Sequence, residues 1–209
     1  MKLIKGAGVG KDYVPYISTA KINSLGTTSV IKDWKTGRGV HCLSQGEAYW
    51  YYILRWDDEN IDIREQYPLD IEETNRIAVV NGFRPPQNAK LVMTTDFLVT
   101  KSDNTLHAYS VKTDRNLSRR SLELLCIEKM YWESKGVPFT LLFKTDVNEV
   151  LVANIRIVTE FYNPSNVFDL VSAIKHKVAS KKCVVDMENK ILNSRDFLEL
   201  SNRFVMQGE

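Results

Sequence analysis

An aspartate and a lysine on neighbouring strands of a predicted hairpin could serve phosphodiester hydrolysis. Asp96 lies in the first apolar strand segment, residues 91–100, and Lys112 lies in the second, residues 105–113. Because strand side chains alternate between faces, Lys112 shares a face with Ser110. A carboxylate can hold a hard divalent cation, and an ammonium group can orient water or balance charge on a phosphate. The pattern predicts a metal-dependent nuclease core; the alternative is an ordinary cross-strand ion pair.

Glu47 is the natural second carboxylate for such a site. Ser44 and Glu47 form an S-x-x-E capping box at the start of a predicted helix that runs to about Trp56. Glu47 lies on the same helix face as Tyr51 and Leu54, so it is expected to face the core. A carboxylate on an inward face usually has a partner or a metal ion. The alternative is that Glu47 serves only the capping box.

The elements that position these residues are predicted from periodicity and from turn residues. Residues 61–69 form a strand that stops at Pro68, and residues 70–88 form a polar connection. A helix from Ser118 to Lys135 and an apolar strand at Val137–Phe143 follow the hairpin, so the sheet should contain a parallel crossover. The chain from about residue 146 is predicted to be mainly helical, with one short strand at Cys183–Val185.

The composition argues against a disordered chain, a collagen-like chain and a disulfide-rich miniprotein, and it is compatible with a nuclease. The 209 residues are 44% hydrophobic and 26% charged, no run approaches a membrane span, and three scattered cysteines fit a reducing cytosol. The net charge of +2 hides an asymmetry, because residues 1–45 carry +5 and residues 46–75 carry −7. A protein that binds the DNA backbone with basic residues and a metal ion with carboxylates would have this separation of charge. An unevenly charged, solvated surface would also have it.

Several blocks of this sequence, in order, resemble the TnsA family, the endonuclease subunits of heteromeric cut-and-paste transposases. They begin with a glycine-rich opening and a K-T-G-R…H-x-L-S-x-x-E segment. A D-I-R-E-Q-[FY]-P-L strand, a T-D-F-L-V strand, a lysine-bearing strand and a helix follow. In this chain the blocks are Gly8–Pro15, Lys35–Glu47, Asp62–Leu69, Thr95–Val99, Val111–Lys112 and Glu128 with Tyr131–Trp132.

The resemblance implies a restriction-endonuclease-like α/β fold, with a mixed sheet flanked by helices and a short, mainly helical C-terminal domain. We assign residues 1–145 to an N-terminal arm plus nuclease domain and residues 146–209 to that second domain, which could bind partners. The implied protein cuts the 5′ strands at transposon ends, in the bacterial cytoplasm and at the nucleoid. Its implied partners are double-stranded DNA, a TnsB-like recombinase and a TnsC-like ATPase, with no membrane.

Carried over by position, the resemblance implies catalytic roles for Glu47, Asp96, Ser110 and Lys112. Glu47, Asp96 and the carbonyl of Val111 would hold one or two Mg²⁺ ions, for which Mn²⁺ can substitute, and Lys112 would serve the attacking water. Familiar members have Gln or Glu where this chain has Ser110, which places direct binding of a second metal by that residue in doubt.

Four further residues are candidates for supporting roles. Glu128 could replace the charge missing at position 110, although an ordinary helix glutamate is the favoured interpretation. Lys35, Arg38 and His41 precede the Glu47 helix and are candidate DNA phosphate contacts, with a structural hydrogen bond as the alternative for His41.

Two other functions remain open at this stage. One is a stand-alone restriction or repair nuclease with the same core. The other is a non-catalytic adaptor of the same fold that binds DNA or an ATPase; it has no chemical need for Glu47, Asp96 and Lys112 together.

Overall fold

The computed structural model describes residues 4–19, 27–86 and 92–206. Lys2 and Lys21 of the basic arm and the first residue of the predicted hairpin, Leu91, lie outside the described residues. The chain forms two compact units, which are described separately. The first takes in the described residues up to Lys32 together with Arg38–Asp146, and the second takes in Asp33–Gly37 with the described residues from Val147 onward. None of the described helices is both long and apolar enough to cross a bilayer.

A four-stranded mixed sheet organises the first unit. Its strand order is β3-β4-β5-β6, antiparallel for the first two pairings and parallel between β5 and β6. A separate antiparallel pair, β1 and β2, precedes it. The bounds are Ser29–Lys32 (β1), Gly39–Cys42 (β2), Asn60–Pro68 (β3), Thr94–Lys101 (β4), Leu106–Lys112 (β5) and Phe139–Phe143 (β6). The predicted hairpin and parallel crossover are confirmed.

Helices cover both faces of this sheet. The helix α1 spans Gln45–Trp56, and its Tyr51 ring lies 6.2 Å from the ring of Phe97 in β4. On the opposite face, α2 (Ile71–Val80) and α3 (Arg119–Ser134) share an apolar cluster with Leu98 and Ala108 of β4 and β5. From Phe97 onward β4 follows the strand alternation, with Phe97 toward α1 and Leu98 toward α3. The start of the strand departs from it, because the Trp132 indole of α3 donates to Thr95.

The glycine-rich N-terminal segment packs against β3. Gly6 has a φ of 74°, and a side chain there would collide with the ring of Pro68. The backbone N–H of Gly10 donates to Asp62, and the hydroxyl of Tyr13 donates to the carbonyl of Glu65. Glycine at position 6 thus permits a close approach of two chain segments, which is a packing role.

The second unit is mainly helical, as the sequence predicts. It contains α4 (Glu149–Thr159), α5 (Leu170–Ala179) and α6 (Ser194–Met206), and α5 packs against both of the others. Ile174 and Val178 of α5 are buried in this packing, whereas Leu170 at its start is exposed.

Two predicted elements are wrong. Residues 71–80 of the predicted connection form α2, whose N-cap Asp70 accepts a hydrogen bond from the backbone of Glu73. The strand predicted at Cys183–Val185 does not form: these residues have no strand pairing, and Val184 is 94% exposed.

Candidate active site

The hairpin brings Asp96 together with the polar residues of β5. Asp96 Oδ2 accepts a 2.6 Å hydrogen bond from the backbone N–H of Val111 and a 3.3 Å bond from the Ser110 hydroxyl. The Lys112 ammonium donates to the same Ser110 hydroxyl at 3.4 Å. Asp96 and Lys112 are therefore linked through Ser110, and no direct ion pair joins them among the described contacts. The simple ion-pair alternative does not describe this geometry.

Glu47 projects from α1, on the other face of the sheet, where Ser44 is the N-cap; only half of the predicted capping box forms, because the Glu47 carboxylate bonds to the Ser44 hydroxyl and not to the Ser44 backbone N–H. The Ser44 hydroxyl accepts from the Glu47 N–H and donates to Glu47 Oε1 at 2.9 Å. Glu47 Oε2 accepts from the backbone of Leu43 at 2.8 Å and from the Gln66 amide at 3.1 Å. A carboxylate has about four lone-pair positions. The three donors therefore leave room for one further partner, so capping and metal binding are compatible.

The two carboxylates are close enough to repel each other. Burial, together with the negative charge of Asp96, raises the pKa of Glu47 to about 7. Hydrogen bonds from Leu43 and Ser44 and the charge of Lys112 act the other way. A divalent cation between two such groups would remove the repulsion and favour their ionised forms.

Glu128 of α3 is a third carboxylate beside this pair. It is 4% exposed, and its Oε1 atom has no hydrogen-bond partner in the structure. Burial and the charge of Asp96 raise the pKa of Glu128 to about 8, while Lys112 lowers it. Glu128 is therefore a buried glutamate next to Asp96, which agrees with the core-adjacent position and not with the solvated one among the ordinary roles expected for a helix glutamate; a role as metal ligand stays a prediction.

These groups line a pocket that fits a cation-dependent chemistry. Asp96, Ser110, Lys112 and Glu128 surround a space of about 260 Å³ under α3. No cluster of three or more His, Cys, Asp or Glu side chains with ligand-like spacing occurs among the described residues. The pocket instead offers the carboxylates of Asp96 and Glu128 and the hydroxyl of Ser110, and oxygen atoms of this kind are the ligands that Mg²⁺ prefers. The residues present fit that ion.

The candidate DNA contacts have structural partners. The Arg38 guanidinium is 9% exposed, pairs with Glu65 at 2.7 Å and donates to the carbonyl of Ile63. The His41 ring accepts from the backbone of Thr19. A phosphate contact by Arg38 would require its ion pair to open, and the DNA roles of both residues stay predictions.

Lys35 belongs to the Asp33–Gly37 segment of the second unit. Its backbone N–H donates to Asp33 Oδ1 at 2.7 Å. Its contact with DNA is likewise a prediction.

Gln66 is a site residue that the sequence did not single out. It is 2% exposed, and its amide bonds to Glu47. The sequence signal for Gln66 is its place in the D-I-R-E-Q-Y-P-L block; alternation alone puts it in phase with Asp62 and Arg64, on the polar side of the strand.

The raised pKa values of Glu47 and Glu128 predict how stability depends on pH. The two pKa values, about 7 and about 8, exceed the unfolded value near 4.5. Between pH 4.5 and these values, each carboxyl is protonated in the folded protein and ionised in the unfolded chain. Stability should therefore be greatest near pH 5 and fall as pH rises to 8, by roughly 1.4 kcal/mol per pH unit for each group over the range in which only the folded state holds its proton. Urea unfolding in EDTA at several pH values measures this.

The Glu128→Gln variant is the control for this pH dependence, because it should flatten much of the slope. Exposed carboxylates with lowered pKa values, such as Asp146, act at more acidic pH and stay outside the window. A free energy of unfolding that is constant or rises from pH 5 to pH 8 would contradict the assignment.

Comparison with known proteins identifies one family model and one curated protein that are similar to this chain. Residues 57–143 match the family model "TnsA-like endonuclease N terminal". The chain is 34% identical over 157 residues to the transposon Tn7 transposition protein TnsA of Escherichia coli. That similarity covers 73% of this chain and 58% of the relative, so the chain spans less than two thirds of that protein. The family match contains β4, β5 and α3 and begins after α1, the helix that carries Glu47.

Proposed function

Through residues 57–143 the chain belongs to the TnsA-like endonuclease family, and on that premise we propose that it is the Mg²⁺-dependent DNA-cutting subunit of a heteromeric transposase. Its substrate is double-stranded DNA at transposon ends, and the strand it cuts there is the 5′ strand. A TnsB-like recombinase acts on the 3′ strand, and a TnsC-like ATPase is a further partner. The protein acts in the bacterial cytoplasm, at the nucleoid.

The observation that carries this proposal is that Glu47, Asp96 and Lys112 meet around the end of β5. Asp96 bonds to the Val111 N–H and is linked to Lys112 through Ser110, while Gly46, the neighbour of Glu47 in α1, packs closely against Val111. A fold that served only as an adaptor would not require a buried Glu47 carboxylate near the negative charge of a half-buried Asp96 and beside a lysine, because such an arrangement is unfavourable without a cation.

The residues divide the work of hydrolysis between them. Glu47 and Asp96, with the backbone carbonyl of Val111, would hold Mg²⁺. When bound, this ion would polarise the scissile phosphate and make an attacking water more acidic. Lys112 holds that water or balances the charge that develops on the phosphate. Ser110 bonds to both Asp96 and Lys112, so its hydroxyl keeps the carboxylate and the ammonium at a fixed separation.

The proposed strand choice can be tested on a duplex that contains a transposon end and carries different dyes on its two strands. With the cognate recombinase and Mg²⁺ present, the chain should cut the 5′ strand. Glu47→Gln should reduce 5′-strand cutting by about a hundredfold or more, since one anionic ligand is lost, while 3′-strand cutting by the recombinase persists.

Glu72→Gln is the matched control, because Glu72 is an exposed carboxylate on α2. Equal 5′-strand cutting by wild type and Glu47→Gln, or cutting in EDTA, would refute the proposal. Efficient cutting of DNA without transposon ends by this chain alone would instead identify a stand-alone nuclease.

A further inference from the structure

Gln66 has a backbone conformation that is unfavourable for its residue type. It lies within β3 with a φ of 49°, in the left-handed region that glycine and asparagine adopt most readily. For other L-residues this region costs on the order of 1–2 kcal/mol. Such strain persists only where the surrounding structure enforces it, and it is frequent at functional sites.

The contacts of Gln66 hold this conformation from several directions. The hydroxyl of Thr94 donates to Gln66 Oε1 at 3.0 Å, so the amide nitrogen faces Glu47, to which it donates. The Gln66 carbonyl accepts from the backbone of Tyr16 in the N-terminal segment. Both ends of the side-chain amide and the carbonyl are therefore engaged.

Gln66 also stands between the two halves of the candidate site. The pairs Glu65↔Phe97 and Tyr67↔Thr95 place it opposite Asp96 in the ladder. Asp96 belongs to the sheet face covered by α3, whereas Glu47 comes from the helix that covers the other face. The strand alternation is broken at this point, because Glu65 and Gln66 are both buried. Gln66 therefore lies beside Asp96 in the sheet, and its side chain reaches the carboxylate of Glu47.

We propose that Gln66 is the positioning residue of the metal site: its amide fixes the orientation of the Glu47 carboxylate relative to Asp96. This inference rests on the proposed function. A donor that orients a ligating carboxylate typically changes metal affinity ten- to a hundredfold when it is removed. Gln66 itself touches no reacting atom, and it acts through Glu47.

Gln66→Met and Gln66→Gly together test this role on the full-length protein. Met keeps the side-chain volume and removes the amide; Gly removes the amide and also relieves the left-handed strain. Asn104→Gly is the matched control, because Asn104 has a φ of 65° in the β4–β5 turn, away from the site. Each protein is titrated with Mn²⁺ by calorimetry without DNA, and each is unfolded in urea with EDTA and with Mn²⁺.

Both Gln66 variants should bind Mn²⁺ at least tenfold more weakly than wild type, and Mn²⁺ should raise their urea midpoints less. Their cleavage should drop more than tenfold at limiting Mn²⁺ and return to within about threefold of wild type at saturation. Asn104→Gly should match wild type in all of these measurements. A purely structural role would lower the urea midpoint equally with and without Mn²⁺, and would leave the Mn²⁺ affinity unchanged.

The outcomes separate this inference from the proposed function. Wild-type Mn²⁺ affinity in Gln66→Met or, should that variant fail to fold, in Gln66→Gly overturns the positioning role while metal-dependent cleavage by the wild-type protein stands. A wild-type chain that neither binds Mn²⁺ nor cuts transposon ends overturns both proposals together.

Discussion

Asp96→Asn should abolish strand cleavage and at the same time make the metal-free protein more stable. The neutral amide keeps an oxygen that can accept from the Val111 N–H, so the local backbone contact is preserved. It removes the negative charge that Asp96 offers to a cation. We expect cleavage to fall by on the order of a thousandfold, equivalent to about 4 kcal/mol of transition-state stabilisation.

The gain in stability has a separate cause. The charge of Asp96 raises the pKa of both Glu47 and Glu128, which means that it disfavours their ionised forms in the folded state. Removing this charge should raise the free energy of unfolding in EDTA at pH 8 by on the order of 1 kcal/mol. A site selected for stability alone would not show this opposition between stability and activity.

Strand-specific cleavage assays and urea unfolding in EDTA measure the two effects on the same preparation. Asp103→Asn is the control, because it makes the same chemical change in the exposed β4–β5 turn. Two results would contradict the assignment: retention of cleavage by Asp96→Asn, or a loss of stability comparable to that of an ordinary core variant.

Lys112→Met should also remove cleavage, by on the order of a hundred- to a thousandfold, but its effect on stability should have the opposite sign. Methionine keeps most of the aliphatic chain and loses the ammonium that orients water or balances charge. Because Lys112 lowers the pKa of Glu47 and of Glu128, its loss should destabilise the metal-free protein at pH 8. Binding of Mn²⁺ should persist, since both carboxylates remain.

Lys101→Met is the matched control on the same sheet. Lys101 ends β4 and pairs with Asp57 at 3.7 Å, away from the candidate site. Calorimetry with Mn²⁺ and the cleavage assay together distinguish a catalytic role from a ligand role. If Lys112→Met lost Mn²⁺ binding as completely as Asp96→Asn, the role assigned to the ammonium would be wrong.

The elements that could be predicted are those specified by local sequence. The β4–β5 hairpin has two apolar segments around a short polar turn, and α3 begins at its N-cap Ser118 and ends before Gly136. The α2 helix was missed although Asp70 and Glu73 carry a capping signal, because its apolar face is narrow: Ile77 and Ala78 are buried, while Val79 and Val80 are exposed. Its hydrophobic pattern therefore resembles that of a connection.

The candidate site was only partly accessible from the sequence for a different reason. Asp96, Ser110 and Lys112 share one face of one hairpin, so strand alternation alone brings them together. The roles of Glu128 and Gln66 depend on burial and on partners that lie far away in the chain. Gln66 lies 19 residues from Glu47 and 28 from Thr94, and its left-handed backbone follows from no local signal.

The hairpin also determines how the site is assembled as the chain folds. Asp96, Ser110 and Lys112 lie on two strands joined by one short turn, so closing this loop costs little chain entropy. Glu47 lies 49 positions before Asp96 in the chain and must be brought to it by docking of α1 on the completed sheet. Cation binding is therefore a property of the finished domain: an incompletely folded chain holds the aspartate and the lysine but lacks the second carboxylate.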